Sequence, residues 1–169
     1  LILAVGPTCS GKTTTLYAAI QILRGQGMKI VTAEDPVEYE FEKVNQKVVT
    51  GKMGFSDYTR AFLRQNPDVI VIGEIRDADT AEIAIRAATT GHLVLSTLHT
   101  ADAISAVGRL QALGVPPDLL SEVLVGVIGQ RLVRRACSRC MAHPEQRKDC
   151  AACERTGYQG LLGIYEIFR

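Results

Sequence analysis

The segment Gly6-Pro7-Thr8-Cys9-Ser10-Gly11-Lys12-Thr13 restricts the possible folds of this chain more than any other feature. It matches G-x-x-x-x-G-K-[ST], follows the apolar run Leu1–Val5 and leads into a stretch with helical patterning from Lys12 to Leu23. A strand that turns through such a loop into a helix gathers backbone N–H groups and the positive end of the helix dipole around an anion. In that setting Lys12 reaches the β- and γ-phosphates of ATP and the Thr13 hydroxyl ligates Mg²⁺. Gly6, Pro7, Thr8, Cys9, Ser10, Gly11, Lys12, Thr13 and Thr14 are the expected nucleotide-contacting residues of the loop.

Downstream, short apolar runs alternate with amphipathic stretches, the pattern of an α/β domain with a mainly parallel sheet flanked by helices. Strands are expected at Lys29–Ala33, Val69–Ile72 and Leu93–Leu98. Helices are expected over Asp57–Arg64, Thr80–Thr89, Asp102–Leu113 and Asp118–Leu132. Gly91 closes the second of these helices, and Gly114 with the Pro116-Pro117 pair separates the last two. Asp79-Thr80-Ala81-Glu82 has the spacing of a capping box. The chain opens inside a strand, so further N-terminal domains are expected upstream of it.

Phosphoryl transfer needs a metal to spread charge and a group to orient the attacking water. Two acidic clusters follow expected strands, where α/β sheets place their ligands. One is Glu34-Asp35-Pro36-Val37-Glu38. The other is Glu74, after Val69-Ile70-Val71-Ile72-Gly73, which has the form of a Walker B strand with Gly73 in place of the usual Asp. Glu74, Glu38 and Lys12 are the expected catalytic groups, with Glu34 and Asp35 beside the nucleotide. His99, at the C-terminal end of its strand, is the candidate γ-phosphate sensor, and His92, at the other end, is expected to orient structure.

Cys137-x-x-Cys140 and Cys150-x-x-Cys153, nine residues apart, offer four thiolates in two knuckles to one structural Zn²⁺. Reduced, metal-free cysteines are the alternative, and His143 is a remote substitute ligand. Such clustering suits a reducing compartment better than a secreted disulfide scaffold, so the cytoplasm is expected.

The order of motifs resembles the type II secretion and type IV pilus assembly ATPases over essentially the whole chain. Gly6–Thr15, Thr32–Tyr39, Leu63–Asp68, Val71–Asp77 and Thr90–Thr100 look like that family's Walker A, Asp box, pre-Walker B, Walker B and His box. The resemblance implies a RecA-like P-loop NTPase domain over residues 1–133, with a tetracysteine zinc element and closing segment over residues 134–169. It implies a homo-hexameric ring with ATP between subunits, Mg²⁺ and the attacking water served by Glu74, Glu34, Asp35 and Glu38, and arginines acting across the subunit boundary. Arg60, Arg64 and Arg76 are the candidates. Partners would be the inner-membrane platform and recruiting proteins of a secretion or pilus machine, at the inner face of the inner membrane, with no direct membrane insertion. The tetracysteine disfavours pilus retraction but leaves secretion and pilus extension open.

Composition bears on the rivals. Arg131, Arg134, Arg135 and Arg139 could form a phosphate-contacting patch in a zinc-bearing nucleic-acid motor. A net charge of +1 and 5% aromatic residues leave little for backbone neutralisation or base stacking, so no nucleic-acid partner is expected. A non-hydrolysing nucleotide switch is disfavoured by the intact Lys12, Thr13 and Glu74 set.

Overall fold

A computed structural model of the chain describes residues 1–141 and 144–169. His143, the remote substitute metal ligand, lies outside the described residues. The architecture is α/β. A seven-stranded sheet has the order β3-β2-β4-β5-β1-β6-β7, parallel throughout except for β7, which runs antiparallel to β6. The elements follow as β1 (Ile2–Val5), α1 (Lys12–Arg24), β2 (Ile30–Glu34), β3 (Val44–Val48), α2 (Phe55–Phe62) and β4 (Val69–Ile72). Then come α3 (Ala78–Thr89), β5 (Leu93–Leu98), α4 (Ser105–Ala112), α5 (Pro117–Val123), β6 (Gly126–Ala136) and β7 (Tyr158–Phe168).

β1 and β4 are apolar at every position, and the polar residues of β2 and β5 (Thr32, Glu34, Ser96 and Thr97) are themselves buried, because both faces of the sheet are covered. Val5, Val31, Ile70, Ile72 and Leu98 point to one side, where they pack against Phe62 of α2, Ile85 of α3, Leu110 of α4 and Leu120 of α5. Their neighbours Ala4, Ile30, Val69, Val71 and Leu95 point to the other side, against Leu16, Tyr17 and Ile20 of α1. A single helix thus covers the face from which the phosphate loop springs. At about 25 cal/mol per Å² of apolar surface removed from water, this two-sided burial is the main force holding the loop's flanks in place.

Three local expectations are corrected. The helix expected over Asp118–Leu132 ends at Val123, and its second half is strand β6, paired with β1 in parallel from Ile2↔Gly126 to Val5↔Gly129. Gly126 and Gly129, with Val125, Val127 and Ile128 around them, weaken a helix and favour a buried strand. β3 has the sequence VNQKV, too polar to stand out as a strand, and it takes the outer position beside β2. β7, in a stretch without clear periodicity, pairs with β6 from Val127↔Phe168 to Arg134↔Leu161.

Helix starts shift as well. α3 begins at Ala78, two residues before its expected start at Thr80, because the Asp77 carboxylate takes the Thr80 N–H at 2.8 Å. α2 starts at Phe55, where the Asp57 carboxylate accepts the Gly54 N–H at 2.9 Å. α4 starts only at Ser105, whose N–H donates to the Asp102 carboxylate at 2.7 Å.

Candidate nucleotide site and metal centre

β1 delivers the chain to Gly6 at the C-terminal edge of the sheet, and α1 leaves from Gly11, whose φ of 89° turns the loop into the helix. A Cβ at Gly6 would stand 2.4 Å from the Gln130 carbonyl oxygen, so only glycine fits against β6 there. The Lys12 side chain is 8% exposed and folds back over the loop, its Nζ donating to Gly6 O at 3.0 Å and Pro7 O at 2.9 Å. Burial draws the Lys12 ammonium below its ordinary pKa, while the Glu74 carboxylate acts in the opposite sense.

The loop opens on a cleft of about 440 Å³. Thr8 to Thr14 form one wall, and the acids at the ends of β2 and β4, Glu34, Asp35, Glu38 and Glu74, form the facing wall with His99. Apart from the candidate arginines, every residue singled out for the site lines this cleft except Gly6 and Pro7, whose carbonyl oxygens hold Lys12. The Ser10 hydroxyl is buried without a hydrogen-bond partner among the described residues. An unpaired buried hydroxyl is unfavourable, so the loop has unused polar capacity of the kind an anionic ligand can satisfy. Together with the helix N-terminus and the Lys12 ammonium, this donor set fits a polyphosphate with an accompanying cation held between Thr13 and the acids.

The acids differ in their surroundings. Glu34 is 4% exposed, and its carboxylate accepts from the Tyr17 and Thr32 hydroxyls and from Gln46 Nε2 at 3.0 Å. Tyr17 also receives the Glu38 N–H on its hydroxyl oxygen at 3.0 Å, so it ties the acidic loop to α1 at two points. Burial, and then the Glu34 carboxylate, push the Tyr17 hydroxyl up to about 12. Glu74, with a side chain 15% exposed, meets the Arg76 guanidinium and lies 3.5 Å from His99 Nε2. Arg76 also reaches Asp35 at 3.6 Å and lies over the Phe55 ring.

Gly73 is glycine for a steric reason. A Cβ there would come within 3.1 Å of both the Ala33 carbonyl oxygen and the Phe55 ring. His92 keeps to the opposite end of β5, with Nδ1 at 3.1 Å from Ala87 O and from the Thr90 hydroxyl, a packing role as expected. Of the three candidate arginines, Arg76 is the one that pairs with acids lining the cleft of its own chain, Glu74 and Asp35. Arg60 pairs with Asp57 on the surface of α2 at 3.9 Å, and Arg64 is exposed just beyond that helix. Tyr17, Thr97 and Leu132 also line the cleft but were not anticipated. Tyr17 reads as an ordinary apolar-face position of a helix, and Leu132 was hidden by the helical reading of its segment.

The four C-terminal cysteines converge, their Sγ atoms all within 4.8 Å of one another, with Cys137 to Cys150 at 3.9 Å and Cys140 to Cys153 at 3.8 Å. A tetrahedral ion with bonds of about 2.3 Å requires sulfurs about 3.8 Å apart, so the residues fit zinc. Gly157 N–H donates to Cys153 Sγ at 3.3 Å, and the N–H groups of Cys140 and Arg139 lead in pulling the Cys137 thiol down to about 7. The Cys137 shift favours thiolate, the form that binds a metal, whereas burial pushes the Cys140 thiol up to about 12. The cluster sits between β6 and β7, and Cys137 N–H bonds Gly157 O at 2.9 Å to close the neck.

A sequence profile of the family described as "Type II/IV secretion system protein" matches residues 1–169. The chain is 51% identical over 173 residues to the type II secretion system protein HxcR of Pseudomonas aeruginosa, covering 99% of this chain and 37% of that protein. It is 47% identical over 191 residues to the type IV pilus assembly ATPase TfpB of Acinetobacter baylyi, covering 99% of this chain and 33% of that protein. Among solved structures, it superposes on the pilus retraction motor PilT with bound ADP at a TM-score of 0.77 and 37% identity, covering 99% of this chain and 46% of that one.

Proposed function

The chain belongs to the type II/IV secretion system protein family, and on that premise we propose that it is the Mg²⁺-dependent ATP-hydrolysing portion of a motor that assembles a type II secretion pseudopilus or a type IV pilus. It spans 37% of the length of HxcR, so the activity and partners of the whole protein form part of this proposal. The observation that carries it is the meeting of Lys12, Thr13 and Glu74 on one cleft at the N-terminus of α1.

In this reading the loop amides and Lys12 would hold the phosphates, and Thr13, with Glu74 and Asp35 on the facing wall, would hold Mg²⁺. Mg²⁺ would supply neutralisation of the charge that builds up as the phosphoryl group is transferred. Glu74 orients the attacking water and accepts its proton at a carboxylate oxygen, with Glu38 and Asp35 beside it. Glu34, already bound by three donors, shapes this wall from within. His99, in contact with Glu74, senses the γ-phosphate, so that cleavage is felt at the end of β5.

The working form is a homo-hexameric ring in which nucleotide lies between subunits and Arg60 of α2, or Arg64 just beyond it, reaches the neighbouring site. Residues 1–133 form the RecA-like ATPase core and residues 134–169 the structural zinc element and closing segment, with further domains upstream. No helix among the described residues is long and apolar enough to cross a membrane. Recruitment to the inner face of the inner membrane by platform proteins is the proposed location.

The test is ATP hydrolysis by the full-length protein with and without Mg²⁺, beside Glu74→Gln. The substitution is expected to preserve ATP binding and to reduce turnover by about 10²–10⁴-fold, the usual contribution of a positioned base. Parent-like turnover in that variant would overturn the catalytic assignment.

A further inference from the structure

Gln130 lies on β6, outside every motif that marks the phosphate loop. Its side chain is buried, and both ends of its carboxamide are engaged. Nε2 donates to the Ser10 carbonyl oxygen at 2.8 Å, and Oε1 accepts from the Thr15 hydroxyl at 2.9 Å. Its backbone touches the same loop from below, where its carbonyl oxygen excludes any Cβ at Gly6. One residue therefore meets the loop at its entry, at its last turn and one turn into α1.

The geometry has a consequence for the anion cradle. In a trans peptide the C=O and the following N–H point in opposite directions. A donor that pulls the Ser10 carbonyl toward β6 turns the Gly11 N–H away from β6. Gly11 lines the cleft, so that N–H is directed to the side where an anion would sit. The grip is specific to an amide: a carboxylate at this position would repel the Ser10 carbonyl, and an aliphatic side chain would leave Ser10 O and the Thr15 hydroxyl without their partner. β6 is itself held by β1 through Val5↔Gly129 and by β7 through Gln130↔Tyr165, so the bracket stands on a paired strand.

We propose that Gln130 is a positioning residue of the phosphate loop, fixing the Ser10–Gly11 peptide so that its N–H faces the bound phosphate. The inference rests on the reading of the cleft as a nucleotide site. Its test uses the full-length protein with Gln130→Leu, Thr15→Val and the double variant, read in two ways. Amide hydrogen exchange of the nucleotide-free protein is expected to be about tenfold faster at residues 8–12 in Gln130→Leu, with the amides of β1 and β4 unchanged. The affinity for Mg-ADP is expected to fall about tenfold, the loss of one buried hydrogen-bond pair. Thr15→Val alone should show a smaller effect and should add nothing in the Gln130→Leu background.

Parent-like exchange in the loop would overturn the proposal. So would acceleration spread evenly over the sheet, since that is loss of fold and not of loop position. A parent protein that fails to bind Mg-ADP would sink the nucleotide reading itself, while the exchange measurement would still decide whether Gln130 holds the loop.

Discussion

The Arg76 guanidinium lies against the Glu74 carboxylate and bridges it to Asp35, joining the end of β4 to the end of β2 across the mouth of the cleft. Arg76 is 55% exposed, and ion pairs at that exposure contribute only about 0–1 kcal/mol to folding. Its weight therefore falls on the orientation of Glu74. Arg76→Ala is expected to leave the melting temperature nearly unchanged and to lower kcat by about tenfold or more at unaltered nucleotide affinity. Steady-state kinetics beside thermal unfolding check this; equal kcat would remove Arg76 from the site's working parts.

Tyr17 is the second link between the walls. Tyr17→Phe removes a hydrogen bond to the buried Glu34 carboxylate and the acceptor of the Glu38 N–H, and is expected to destabilise the protein by about 1.5–3 kcal/mol. Because the folded state raises the Tyr17 pKa to about 12, it holds this proton more tightly than the unfolded chain does. The associated stability is complete below the ordinary tyrosine value of about 10 and fades as pH rises toward the folded one. Tyrosinate absorbance should show one late-titrating group of the five tyrosines, lost in the variant.

Gly73 stands where an aspartate commonly follows such a strand, and restoring that acid is expected to harm the protein. With a Cβ 3.1 Å from the Ala33 carbonyl and from Phe55, Gly73→Asp should be destabilised by about 1–3 kcal/mol in denaturant unfolding. A stable Gly73→Asp protein with higher ATPase activity would show that the crowding at this strand end is easily relieved.

Metal analysis addresses the cysteines directly. The purified protein is expected to carry zinc equimolar with the chain, and Cys153→Ser to retain much less. Metal binding displaces thiol protons, so affinity must weaken as pH falls and strengthen as it rises. Chelation should release the β6–β7 neck, read as faster amide exchange near Cys137 and Gly157, whereas unchanged exchange would mean the thiols hold that neck without an ion.

Much of the site was legible because its chemistry is local. Gly6 to Thr13 is one uninterrupted segment, and Glu34, Asp35 and Glu74 each follow a strand whose apolar run announces itself. The paired cysteine knuckles, too, carry their spacing in the text. β6 and β7 were not legible, since Val125 to Leu132 suits a helix or a strand equally until β1 offers an open edge. Tyr17 and Gln130 were hidden for the same reason, as their partners are 17 and 115–120 residues away.

Sequence alone determined the class of fold and marked out the segment proposed to meet a phosphate, because strand, loop and helix here are adjacent in the chain and governed by short-range preferences. Only the tertiary structure decided which side of the loop is braced, which acid is saturated by hydrogen-bond donors and which are paired with Arg76, and how crowded the position of Gly73 is. Those are properties of distances between strands brought side by side by burial of both faces of the sheet, and no local pattern of residues encodes them.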